Sequence, residues 1–62
     1  MTDYSHAWTL ECLIRLMDAH DLAYKAECAF AVKSDGRAER MNDIKMKISE
    51  LMSQIEEIAK TE

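Results

Sequence analysis

A chain of 62 residues, 48% of them hydrophobic, with twelve acidic and eight basic side chains and a formal charge of −4, is small for a self-sufficient fold. A domain this short buries only about 60% of its unfolded surface and commonly relies on a disulfide, a metal or a partner, while the acidic balance disfavours a purely electrostatic grip on nucleic acid. No apolar run reaches the ~18 to 20 residues of a membrane span, and no basic region followed by an apolar core and a small-residue cleavage site opens the chain, so a cytoplasmic protein with no membrane partner is expected.

The first predicted element is a helix from about residue 4 to 33. Cys12, Leu16, Ala19, Ala23, Ala26 and Phe30 recur at spacings of four and three, the pattern of a helical seam. Thr2, Asp3 or Ser5 is expected to cap its start. Outside the seam, Leu10, Leu13, Met17, Tyr24, Cys28 and Ala31 form a second apolar stripe, with His20 at the remaining heptad position. Cys12 and Cys28 are expected as small buried apolar residues. Sixteen residues apart on one helix, their backbones stand about 24 Å from each other, far beyond the ~7 Å limit for a disulfide.

Lys33-Ser34-Asp35-Gly36 is the only obvious break in a chain with no proline and one glycine. A turn at about 34–36 is predicted, with Ser34 or Asp35 capping the second helix and Gly36 relaxing the reversal. That helix should run from about 37 to 60, carrying a single stripe of Met41, Ile44, Ile48, Leu51, Ile55 and Ile58. Glu11 with Arg15, Asp21 with Lys25, Asp43 with Lys47 and Glu56 with Lys60 stand four apart on the polar faces, each pair worth about 0.2–0.5 kcal/mol.

Folding at Asp35–Gly36 sets the two seams in register, Phe30 opposite Met41, Ala23 opposite Ile48 and Leu16 opposite Ile55, with Ala26, Ala19 and Cys12 opposite Ile44, Leu51 and Ile58. The expected fold is all-α, one antiparallel two-helix hairpin over 1–62. A two-helix hairpin hides one side of each helix, so the second stripe of helix one would stay in water, forgoing about 1.5–3 kcal/mol per large side chain. A second copy is the economical cover, through an antiparallel homodimer, a four-helix bundle or a larger helical oligomer. Antiparallel pairing would place Leu10 against Ala31, Leu13 against Cys28 and Met17 against Tyr24, with His20 near its symmetry mate. It would also set the basic loop end (Lys33, Arg37, Arg40, Lys45, Lys47) beside the acidic end (Asp3, Glu11, Glu56, Glu57, Glu62). Tyr4 and Trp8 fall where the register runs out of helix two, and their rings are expected to project past it, as a binding anchor or as a cap on the core.

Catalytic chemistry is not legible. Asp18, His20 and Asp21 point in different directions on a helix, and no metal-binding or nucleophilic constellation has supporting spacing, so no cofactor, metal or enzymatic activity is expected. The reading favoured is a small protein–protein interaction module (adaptor, co-chaperone or inhibitor) that self-associates through helix one and binds a protein client. Its contact residues would be Trp8, Leu10, Leu13, Met17, His20, Tyr24, Cys28 and Ala31. Two alternatives use the basic residues, with Lys33, Arg37 and Arg40 as a candidate anion site. One is a four-helix-bundle regulator of folded RNA, similar in architecture alone to the plasmid-copy-control Rop proteins. The other is an oligomeric sponge for a small anionic ligand such as a nucleotide.

Overall fold

Nothing in the backbone interrupts helix propagation before the Ser34–Gly36 segment, and two helices result. The computed structural model describes residues 4–61. Helix α1 spans Ser5–Ala31 and helix α2 spans Arg37–Thr61, folded back on each other as an antiparallel hairpin with Cα extents of 53 × 15 × 10 Å.

Helix α1 begins at Ser5. Tyr4 occupies the N-cap (φ −97°, ψ 5°) with no side-chain cap hydrogen bond, and its carbonyl accepts the Trp8 amide at 2.9 Å. Ser5 is already helical, and its carbonyl accepts the Thr9 hydroxyl at 2.8 Å. Thr2 and Asp3 lie outside the described residues.

Helix α1 ends at Ala31, two residues earlier than expected, because the chain must turn left-handed twice. Ser34 has φ 53° and Gly36 has φ 86°. No atom lies within 4 Å of where a Cβ on Gly36 would sit, so what glycine supplies there is the positive φ that a side chain would strain. Asp35 then caps α2. Its Oδ1 accepts the Arg37 amide at 3.2 Å and its Oδ2 accepts Arg37 Nε at 2.7 Å, with Nη2 on the same oxygen.

Those bonds hold the Asp35 carboxyl below its usual value of 3.8, the Arg37 side chain contributing most and its amide next. A carboxyl whose pKa is lowered by folding adds stability above its unfolded pKa and loses it as pH falls through the folded value. Thermal melts of the parent and of Asp35→Ala should therefore differ at neutral pH and converge below pH ~3. A gap that persists in acid would assign the effect to turn geometry and not to charge.

Packing between the helices differs in one respect from the predicted seam. With Leu16, Ala23, Phe30, Met41, Ile48 and Ile55 as heptad position a, these six are half-buried or buried as expected. On α2, however, the expected d residues Ile44, Leu51 and Ile58 are exposed, while the e residues Ala38, Lys45, Met52 and Ala59 are half-buried. On α1 the e residues Leu13, His20 and Glu27 are half-buried, and so are the small d residues Ala19 and Ala26. The helices thus meet on their a and e rows, with α2 turned by roughly 50° from an a/d seam and α1 keeping part of its d row under cover.

An inter-helix cluster favours that rotation. Lys45 Nζ donates to Glu27 Oε1 at 2.6 Å with both side chains largely covered, and the same ammonium lies 5.1 Å from the centroid of the Tyr24 ring. Antiparallel packing sets e beside e, so this pair forms only when the e rows turn inward. Among the described residues Ala23, 5% exposed, is the sole buried residue. Its small size admits the close approach at mid-hairpin.

Candidate functional site: two apolar faces on opposite sides of the hairpin

Turning the e rows inward leaves apolar rows on both outer sides. On one side the b row of α1 presents Leu10, Met17, Tyr24 and Ala31, all exposed, Met17 at 51%. This is the predicted stripe without three of its members, Leu13, His20 and Cys28. Leu13 and His20 have turned toward α2 and are half-buried, because they occupy the e row that the hairpin itself uses. Cys28 stands further round, exposed.

Neither cysteine is a buried apolar residue as expected: Cys12 and Cys28 are both free and exposed. Cys28 lies off the rows that gain cover, and Cys12 lies where α2 has turned its d row away. The Cys28 thiol holds the Tyr24 hydroxyl above its usual range, by hydrogen bonding first and then by charge repulsion, with Lys45 opposing. Tyr24 stays neutral at physiological pH, as a residue of an apolar stripe should.

On the opposite side, the d row of α2 faces outward beside that of α1. A cleft at the open end is lined by Ser5, Trp8, Thr9 and Cys12 from α1 and by Ile55 and Ile58 from α2. Leu51 and Ile44 continue the α2 wall toward the loop by helical period, with Ala19 and Ala26, both half-buried, along the base. Helix α2 extends to Thr61, and Trp8 borders the cleft beside Ile58. Its indole remains 71% exposed and stacks on Tyr4 with ring centroids 6.2 Å apart at 25°.

The basic loop end is less available than its composition suggests. Arg37 is bound to Asp35, and its guanidinium lies 4.7 Å from the centroid of Phe30. Lys45 is held by Glu27. Of the predicted anion site, Lys33 and Arg40 make no ion pair among the described residues, whereas Arg37 is committed. Of the four helical pairs, Glu11 with Arg15 closes at 3.0 Å, and the other three do not reach ion-pair distance among the described residues.

Sequence reasoning missed the Glu27–Lys45–Tyr24 cluster and the α2 wall of the cleft. A signal for the first was present: extending the register of Ala23 opposite Ile48 by one step toward the loop puts Glu27 near Lys45. Among the described residues, no group of three or more His, Cys, Asp or Glu is placed to hold a metal ion, and no helix is long and apolar enough to cross a membrane. Comparison of the chain with protein-family models, with curated proteins and with solved structures returned no match.

Proposed function

We propose that the chain is a small non-catalytic protein–protein interaction module that self-associates through helix α1 and engages a protein client, as adaptors, co-chaperones and inhibitors do. The observation that carries this reading is the burial pattern. One alanine is buried among the described residues, while Leu10, Ile14, Met17, Leu22 and Tyr24 of α1 stand exposed. A helix apolar on most of its circumference belongs inside a larger assembly. Each large side chain left in water forgoes about 1.5–3 kcal/mol.

The pairing of Arg37 and Lys45 weighs against the RNA reading, because it withdraws two of the five cations on which that reading depends.

Met17→Glu tests the module. A charge placed on the stripe should weaken self-association by about two orders of magnitude, the equivalent of about 3 kcal/mol, while helicity by circular dichroism stays at the parent level. Light scattering over a hundredfold concentration range gives the mass. A variant with parent mass and parent helicity would remove the stripe from the interface. Leu13→Glu is the poorer probe, since Leu13 also packs inside the hairpin.

A further inference from the structure

The two outer faces differ in charge as well as position. Along the cleft side, the d and g rows contain Arg15, Arg37, Arg40 and Lys47 within the helices and no acidic residue. Arg15 and Arg37 are neutralised by Glu11 and Asp35. Arg40 and Lys47 make no ion pair among the described residues, and both stand exposed on the α2 rim. Along the stripe side, the c and f rows of α1 carry Glu11, Asp18 and Asp21 against one base, Lys25. Asp18 and Asp21 make no ion pair among the described residues.

We propose that the groove formed by Trp8, Cys12, Ile44, Leu51 and Ile58 is the seat for the outer stripe of helix α1 from a second copy, so that copies join head to tail. This rests on self-association through α1 and specifies what the stripe meets. The α2 wall from Ile44 to Ile58, about 21 Å of helix, is long enough to take the large side chains of the stripe, Leu10, Met17 and Tyr24, with Ala31 beyond it. The charges agree as well, an apolar stripe edged with carboxylates entering an apolar groove edged with cations.

Self-pairing of either face is less favourable. Antiparallel stripe on stripe would bring Asp18 and Asp21 of both chains together around the two-fold, with Lys25 the one base in those rows, and groove on groove would oppose Arg40 and Lys47, which make no ion pair among the described residues. Stripe in groove instead sets Asp18 and Asp21 against Arg40 and Lys47. Contacts of this type are heterologous, and they propagate into a ring or a filament instead of closing as a dimer.

Mixing two defective chains tests this. Met17→Glu spoils the stripe and keeps the groove, whereas Leu51→Glu, at a position 48% exposed, spoils the groove and keeps the stripe. Each alone should remain at the monomer mass of 7.2 kDa. An equimolar mixture should give a one-to-one complex of twice that mass and nothing larger, because it can form one intact interface, while the parent grows with concentration. A parent that stops at a dimer, broken by Met17→Glu and untouched by Leu51→Glu, would overturn the groove and leave self-association through the stripe standing. A mixture that stays monomeric would also overturn the groove. A monomeric parent would overturn both readings. Should Leu51→Glu lose helicity, Lys47→Glu replaces it, with parent helicity and association weakened about tenfold expected; unchanged association would overturn the groove.

Discussion

Replacing Ile48 by glutamate should abolish the cooperative helical transition of the chain. Ile48 is a half-buried a-row residue of α2 in register with Ala23, the one buried residue among those described. The substitution removes an apolar contribution of about 1.5–3 kcal/mol. It also puts a carboxylate into the closest part of the hairpin with no cation set to meet it, since Lys45, on the neighbouring turn, is already held by Glu27. Leaving a charge unpaired in a covered site costs about 3–5 kcal/mol. At roughly 0.05–0.15 kcal/mol per residue, the whole stability of such a domain is of the same size. Circular dichroism should show a weak, non-cooperative melt. A cooperative transition near the parent midpoint would mean that the a rows do not hold the hairpin closed.

Truncating Lys45 to alanine should cost about 2 kcal/mol, from three sources acting together. The ion pair with Glu27 is lost from a site where the side chains are 18% and 25% exposed, so solvent screens it less than a surface pair. Glu27 is left without its cation. The contact of the ammonium with the Tyr24 ring, worth about 0.5–1 kcal/mol, disappears as well. For a domain of this length that is a fall of roughly 10 °C in Tm at fixed protein concentration. Glu27→Gln should cost less, because Lys45 keeps the ring and an oxygen acceptor remains. A Tm change for Lys45→Ala no larger than that for Lys60→Ala, an exposed cation, would show that the cluster adds nothing.

The hairpin, its turn and the two-residue accuracy of its helix ends were legible because they depend on local features: period, a lone glycine and a capping aspartate. The a rows were legible for the same reason. The rotation about the helix axes was not. An a/d pattern and an a/e pattern share half their residues, and the a/d reading is the more apolar on both helices, since the e rows carry His20 and Glu27 on α1 and Lys45 on α2, so hydrophobicity alone pointed to the wrong flank. The choice falls to Glu27 and Lys45, two charged residues that a search for apolar stripes passes over. Its consequence reaches the candidate site directly. Leu13 and His20 turn inward, and Ile44, Leu51 and Ile58, assigned by their spacing to the core, turn outward as a wall of the groove. Trp8 was singled out from the start, but its sharing a cleft with Ile55 and Ile58 was not.

Enclosing one alanine alone has a consequence for how the protein behaves as its amount changes. In a domain with a full core, folding is a property of the single chain. Here much of the apolar surface that would stabilise the helices lies on outer faces, so on the self-association reading the fold is tied to mass action, and each tenfold change in free partner well above the dissociation constant alters stability by about 1.4 kcal/mol. Dilution would then act as a mild denaturant. A cell holding the chain scarce would hold it partly unfolded, with expression level setting the folded fraction and the helices open to proteases until enough copies accumulate.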